Sequence, residues 1–400
     1  MEHTNKSEAV NKSERANKSA QAHRNSRWCA LIMIILYTGA LLHYDIKEDA
    51  SELPAYVLAS VCSILAGSVL VAGLRNYKAG NRKKSIVQAA AVMLLMVAGR
   101  SWNLRGTAPH IMLEWMVLYV KYVWALFWPV WALWAVKISG NSLGKDKLTD
   151  VFGTSLLYAL FTILGLWGLE DVMVLPAWGD VDWMVTEVVL LGSFSGLVFF
   201  KEYIYRLEGA GRKAVAAGTM AAVNLAGLGI LVYKSPRLRV ILYSLGVRLM
   251  DGDGKLKNVN WLSYRLVAAK ANWSGYLEPG FNQLGHPMME EVWLTWKRNP
   301  LSCLNAEYGK LALLVCLILF AGVLFYAGRI TYSNERLERI AWYIRAEFIM
   351  VFVFSTWNEL FLIRAGVGTG NYFPLLGYGV QMFPLLSILC HLDEKSDVYE

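Results

Sequence analysis

Apolar stretches long enough to cross a lipid bilayer recur along this chain, and they constrain its fold more than any other feature. A helix needs about 20 mostly apolar residues to cross. Ten segments are candidates, at roughly 28–44, 55–74, 86–100, 113–136, 151–169, 182–200, 213–233, 309–328, 340–363 and 372–391. The first and third are short. None shows the alternation of a barrel strand, so the backbone must satisfy itself inside helices. Apolar types make up 56% of the 400 residues and charged types only 18%, against about 25% charged in a soluble domain. The expected fold is an all-α polytopic membrane protein. A soluble enzyme, a disordered tail protein and a disulfide-stapled secreted scaffold are excluded.

The formal net charge is +8, and its distribution gives a topology. Six Lys/Arg lie in the tail 1–27 and one, Lys47, in 45–54 beside four acids. Five lie in 75–84, two in 100–110, three in 137–147, none in 169–180, four in 201–213, three in 329–339 and one in 364–371. High and low counts alternate, and the positive-inside rule then places both termini in the cytoplasm. Most of the charge is topological, so no nucleic-acid partner is expected. The domain organisation follows: a basic cytoplasmic tail 1–27, spans one to seven over 28–233, a large extracytoplasmic loop 234–308, spans eight to ten over 309–391, and a short cytoplasmic tail 392–400.

The tail repeats Asn-Lys-Ser at 5–7, 11–13 and 17–19. It is polar and low in complexity, and is expected to be disordered, acting at the membrane surface or as a tether. The outer loop carries Trp261, Trp273, Trp293 and Trp296. Stretches such as 262–271 read as interfacial helices, and the loop is either a functional segment or an interfacial lid. Cys29, Cys62, Cys316 and Cys390 fall in apolar stretches and Cys303 in the loop, so the cysteines read as small buried hydrophobes. Six isolated histidines suggest no metal site.

Ionisable groups at membrane depth need a partner or a task. Glu114 and Lys121 share one face of the fourth span. Asp171 sits at the outer end of the fifth, Arg345 and Glu347 lie inside the ninth, and Asn358 and Arg364 follow toward its outer end. They read either as pairs between helices or as a polar cavity opening outward. The loop begins Tyr233-Lys234-Ser235-Pro236-Arg237-Leu238-Arg239. Lys234, Arg237 and Arg239 suit an anionic headgroup or a pyrophosphate, because Arg offers a fixed fork to phosphate oxygens and Lys a point charge. Anchoring to bulk lipid is the other reading. Asp251-Gly252-Asp253-Gly254 is a turn rather than a calcium loop.

Several of these residues stand in an order that resembles the SEDS family (FtsW/RodA/SpoVE type), ten-span membrane glycosyltransferases that polymerise lipid II into peptidoglycan. The family's C-terminal pattern has an Asn, then Thr-Gly, then Leu-Pro-Phe-Ile-Ser-Tyr-Gly-Gly-Ser. Here Asn358, Thr369, Gly370 and Phe373-Pro374-Leu375-Leu376-Gly377-Tyr378-Gly379 keep that spacing, with Val380-Gln381 in place of the final Gly-Ser. Trp102, Gly106 and Glu114 keep the spacing of a second motif, and Lys121 lies one turn beyond the position of its Lys. Tyr233-Lys234-Ser235-Pro236-Arg237 is similar to Tyr-Arg-x-x-Arg, and Ala306-Glu307-Tyr308-Gly309 to Glu-Glu-Leu-Gly at the head of the eighth span. Asp171 is a weaker match to an Asp before the sixth span.

The resemblance implies a bacterial cytoplasmic membrane protein, an undecaprenyl-linked glycan as ligand, and a single-span partner such as a class B penicillin-binding protein. No cofactor is expected, with a divalent cation entering only if the chain is active. The family's catalytic Asp falls here on Arg298. A general base must accept a proton, and Arg stays protonated. The remaining candidates are Glu290, Glu291 and Glu307. Losing the Asp while keeping positions that helix packing alone could require favours a non-catalytic scaffold, a pseudoenzyme of cell-wall, cell-division or cell-shape machinery. An active polymerase comes second, and a lipid-linked precursor carrier or flippase third.

Overall fold

A backbone in hydrocarbon has no water to bond, so a chain of apolar segments is committed to helices. The computed structural model describes residues 2–48, 52–101, 120, 127–142, 147–170, 182–234, 296, 300–332, 335–357 and 373–391. Among the described residues there is no strand, and ten α-helices follow in order. They are α1 Glu2–Glu48, α2 Glu52–Lys78, α3 Arg82–Ala98, α4 Trp128–Ser142, α5 Leu148–Glu170, α6 Asp182–Glu202, α7 Ala210–Lys234, α8 Pro300–Gly328, α9 Glu335–Trp357 and α10 Phe383–His391. Each overlaps one of the ten apolar segments.

Among the described residues, five stretches are long and apolar enough to cross a membrane: Lys18–Lys47, Glu52–Lys78, Leu148–Leu166, Glu307–Gly328 and Leu337–Trp357. Their outward faces carry Ile35, Val61, Leu164, Ile318 and Val353, the apolar surface that a bilayer covers. The protein is an all-helical, multi-pass membrane protein.

Three elements depart from the expected pattern. The tail is helical rather than disordered, because α1 runs back to Glu2. Residues 2–38 contain no Gly or Pro, so nothing interrupts a helix propagating from the apolar segment. The tail's last part also docks: Ala22 and Ser26 are buried, and the Ser26 hydroxyl donates to the Val323 carbonyl at 3.2 Å. The second departure is α8, which begins at Pro300 and takes in the last nine residues of the expected outer loop. Proline suits the first helical position, and Cys303 is buried in this helix rather than placed in a loop. At the C-terminus a 3-10 turn over Gly377–Met382 leads into a nine-residue α10, where an ordinary span over 372–391 was expected. Glycines and prolines at 374, 377, 379 and 384 interrupt that stretch.

The chain divides into two compact units. Unit 1 gathers α1, α2, α3, α8, α9 and α10. In it α1 packs along α8, and α2 lies between α3 and α10. Small residues permit the close approaches that packing in lipid favours: a Cβ on Gly67 would sit 2.5 Å from Ser387 Oγ. At one end of the unit Arg345, expected inside the ninth span, donates to the Ile330 carbonyl at 2.7 Å and to Glu338 at 3.1 Å. Its guanidinium stands over the Tyr332 ring. The Tyr332 hydroxyl donates to the Leu389 carbonyl at 2.8 Å. Burial pushes this phenol well above its ordinary range, against the opposing pull of Arg345.

Unit 2 gathers α4 to α7. The Trp128 indole N–H reaches Ser195 Oγ at 2.8 Å and the Leu191 carbonyl at 3.1 Å, and the Tyr158 hydroxyl donates to the Ser195 carbonyl at 2.8 Å. Tyr158, Phe199 and Tyr203 stack in sequence, with centroids 4.6 and 5.1 Å apart. Gly165 lies under this aromatic corner, where a Cβ would be 2.7 Å from the Trp128 ring. Gly165→Ala is therefore expected to cost about 1–3 kcal/mol by overpacking. Gly196→Ala, on the same unit and with open space around it, is expected to leave stability unchanged or raised. Thermal unfolding of the two purified variants in detergent checks the contrast, and equal midpoints would contradict the packing.

Candidate functional site

Of the site residues that the structure describes, Glu307 and the C-terminal motif belong to unit 1, and Glu307 stands at the end where α1 finishes and α2 begins. Polar side chains have collected there because the apolar runs stop. The Asp45 carboxylate accepts from the backbone N–H groups of Glu52 at 3.1 Å and Leu53 at 2.7 Å. An anion at a helix start satisfies orphan donors and meets the positive end of the dipole.

Glu307, one of the candidate bases, lies next to this corner. Its Oε1 is 2.6 Å from Lys47 Nζ, so the pair fastens the head of α8 to the end of α1. The neighbouring Tyr308 hydroxyl donates to the Ala40 carbonyl at 2.8 Å and lies 2.8 Å from His43 Nδ1. A hydroxyl carries one proton, and with it directed at Ala40 the imidazole supplies its own from Nδ1. Gly309 follows with φ 79° and ψ −176°, a region essentially reserved for glycine. It divides α8 into a short head and the long apolar body. The Gly of the sequence motif is thus required by backbone geometry.

A chain of aromatic contacts runs from this corner into the unit. Trp296 is buried and meets Tyr44, Tyr37 and Tyr308 with ring centroids 5.2, 5.8 and 6.2 Å apart. The Tyr37 hydroxyl donates to the Trp296 carbonyl. Tyr37 also packs edge-on against Tyr56 at 4.8 Å, and the Tyr56 hydroxyl donates to the Leu375 carbonyl at 3.3 Å.

Leu375 belongs to the C-terminal motif, which forms a tight turn. The Leu376 N–H donates to the Phe373 carbonyl, the Gly379 N–H to Leu376, and the Leu375 N–H to Gly379, at 3.1, 2.8 and 2.9 Å. Leu375 and Gly377 have φ of 68° and 51°. A Cβ on Gly379 would overlap the Phe373 carbonyl. The Phe373 ring seats against Phe320 and Phe352 at 5.3 and 5.6 Å. Two residues later, the Gln381 side chain accepts from Arg100 Nε at 2.8 Å and donates to the Met96 carbonyl at 3.0 Å, with Arg100 and Gln381 both buried.

Pro374 and Gly379 therefore shape the turn, and the backbone of Tyr378 lies within it. Lys234 closes α7, in unit 2. Glu114, Lys121, Asp171, Asn358, Arg364, Arg237, Arg239, Glu290, Glu291, Arg298, Trp102, Gly106, Thr369 and Gly370 lie outside the described residues. The sequence reading missed the Arg100–Gln381 pair, although an Arg ending one apolar stretch and a Gln inside another are natural partners in a membrane. It also missed Lys47 and His43 as companions of Glu307 and Tyr308.

No family model, curated protein or solved structure matches the chain. The motifs and the geometry around them carry the functional reading.

The described part of this site is built as a joint between helices. Gly309→Ala is expected to lose about 1–3 kcal/mol of stability, because the backbone conformation there excludes a side chain. Lys47→Ala is expected to lose less than about 1 kcal/mol, since half-exposed pairs are screened and contribute little. Denaturant unfolding of both variants at low and high salt checks this, with salt narrowing only the Lys47 difference.

Proposed function

We propose that this chain is a divergent SEDS-like membrane body that acts as a non-catalytic scaffold in a bacterial cell-envelope complex, of the cell-division or cell-shape kind. The carrying observation is the engagement of Glu307, which is paired with Lys47 in a clamp between α1 and α8. Gly309, and the turn over Phe373 to Gly379 in which Pro374, Tyr378 and Gly379 resemble the family pattern, serve backbone geometry and packing. The position matching the family's catalytic Asp is Arg298, and an always-protonated guanidinium is no general base. The reading places the protein in the bacterial cytoplasmic membrane with both termini inside. Its partner is a single-span membrane protein such as a class B penicillin-binding protein, and it needs no cofactor.

The competing reading is an inverting glycosyltransferase acting on lipid II or another undecaprenyl-pyrophosphate-linked glycan. In it Lys234, Arg237 and Arg239 would hold the pyrophosphate, Glu114 and Asp171 would line the cavity, and Glu290 or Glu291 would act as base. A precursor carrier would use the same cations without chemistry. The deciding experiment supplies labelled lipid II to the purified protein, alone and with whatever membrane protein co-purifies. Glu290→Gln, Glu291→Gln, Glu307→Gln and Arg237→Ala are assayed beside the parent. The expected result is no polymer from any of them and a stable single-span partner in the pull-down. Polymer from the parent that disappears in one Glu variant would replace the scaffold with a polymerase and identify its base.

A further inference from the structure

The turn between α2 and α3 gathers five cations: Arg75, Lys78, Arg82, Lys83 and Lys84. All five are exposed. The turn that carries them is closely bonded. The Ala79 N–H donates to the Arg75 carbonyl at 3.0 Å, the Asn81 N–H to the Asn76 carbonyl at 2.9 Å and the Ser85 N–H to the Asn81 carbonyl at 3.1 Å. Gly80 supplies the reversal, with φ 78°. Deeper in the pair the Asn76 amide donates to the Gln88 side chain at 2.9 Å, and a Cβ on Gly73 would lie 3.4 Å from Gln88. The cations therefore stand on a fixed scaffold, with little backbone freedom left to lose on binding.

The helices themselves account for only two of the five. Arg75 and Lys78 lie in the last turn of α2, where the dipole favours cations. Arg82, Lys83 and Lys84 open α3, where the dipole opposes them, and that first turn holds no acid. Among the described residues no acidic side chain pairs with any of these three. Their depth narrows what they meet. Ile86 and Val87 begin the apolar run of α3, and both are exposed. At 1.5 Å per residue, Lys84, Lys83 and Arg82 stand about 3, 4.5 and 6 Å beyond Ile86. The headgroup layer of one leaflet is about 5–8 Å thick, so all three lie at the level of lipid phosphates. Tyr77, beside the Asn76–Gln88 bond, is exposed on α2, and a ring with a polar tip suits that boundary. Lys83 is four residues before Val87, and Leu94 seven after it, so the three share one side of α3. Val87 and Leu94 are both exposed.

We propose that the α2–α3 turn is a binding surface for anionic phospholipid headgroups. Arg82, Lys83 and Lys84 hold the phosphate, and the acyl chains lie along Val87 and Leu94 on the same side of α3. Guanidinium and ammonium groups make charge-assisted bonds to phosphate, and clusters of about four to eight cations next to a membrane helix gather anionic lipid on the cytoplasmic side. The count of positive charges sets only which way the chain inserts. The bonded turn, the depth of the cations and the apolar face beneath them add a lipid that stays with the protein. An acidic protein partner would need neither that depth nor that face. The proposal stands independently of the SEDS reading, since none of these residues belongs to its motifs.

The test uses the full-length protein in detergent, titrated with phosphatidylglycerol or phosphatidylcholine, with the first lipid adduct read by native mass spectrometry. Phosphatidylglycerol is expected to bind in preference. Each cation is worth about fivefold near a lipid surface, so the triple variant Arg82→Gln, Lys83→Gln and Lys84→Gln should weaken that first phosphatidylglycerol adduct roughly a hundredfold. Phosphatidylcholine binding should not change. A control triple variant, Lys137→Gln, Arg212→Gln and Lys213→Gln, removes as many cations from unit 2 and should leave both titrations as in the parent. Lys83→Gln alone should weaken phosphatidylglycerol about fivefold, and it covers the case where the triple variant does not fold or insert. Equal weakening by the two triple variants would mean general surface charge and overturn the proposal, as would no weakening by Lys83→Gln. Equal binding of the two lipids by the parent would leave the turn to an acidic protein and overturn it too. Displacement of the lipid by inorganic phosphate at matched concentration would identify a free phosphate as the occupant and overturn the lipid assignment.

Discussion

Every backbone carbonyl that leaves a helix inside a membrane must find a donor from the protein itself, and the described structure meets that demand with side chains from distant helices. The Tyr56 hydroxyl covers Leu375, Gln381 covers Met96, Arg345 covers Ile330, and the Tyr332 hydroxyl covers Leu389. Tyr37 covers Trp296 in the same way. In unit 2 the Trp128 indole and the Tyr158 hydroxyl pin elements in a related way, adding a donor to the Leu191 and Ser195 carbonyls inside α6. Each contact satisfies a polar group and pins two elements together. An aromatic side chain suits this work, because its ring packs in the apolar layer while its tip donates. The abundance of Trp and Tyr in the composition is thus partly a consequence of how many helix ends and breaks lie within the protein.

The pairing of α1 with α8 follows the same logic over a long distance. Ser19 meets Thr331, Ser26 meets Val323, and Gly322 lies against Cys29, where a Cβ would be 3.2 Å from the sulfur. Tyr308 then meets Ala40, and Lys47 meets Glu307. The contacts advance up α1 as they descend α8, which is what antiparallel helices require. The two helices are laced from one end of the unit to the other, and Gly309 supplies the one change of direction inside α8. That glycine lets the head of α8 turn toward Lys47 without breaking the register below it.

How much of this could be read from the sequence depends on whether the signal was local. The helix positions were legible because hydropathy acts segment by segment. The helical tail was not, since residues 2–27 have no apolar run and the contacts of its last part, Ser19 on Thr331 and Ser26 on Val323, are made some 300 residues away. The helical head of α8 left only Pro300 as a trace. Gly309 and Gly379 were legible as motif positions, and their reason emerged only with a positive φ at one and a close backbone approach at the other. The pairing of Glu307 with Lys47, and of Arg100 with Gln381, joins residues some 260 and 281 positions apart. No spacing rule reaches that far. Most of the candidate cavity and pyrophosphate residues lie outside the described residues, so the resemblance rather than the structure still carries them.

The distribution of polar groups gives unit 1 two different ends. At the end shared by the finish of α1 and the head of α8, charges are used in pairs and caps: Lys47 with Glu307, Asp45 on the start of α2, Arg100 with Gln381. These contacts are internal, and their geometry serves the joint. At the other end Arg345 bonds the Ile330 carbonyl and Glu338, and the Ser19 hydroxyl accepts from the Thr331 N–H. The laced α1–α8 pair joins the two ends, so both rest on the same two helices that carry the Gly309 joint.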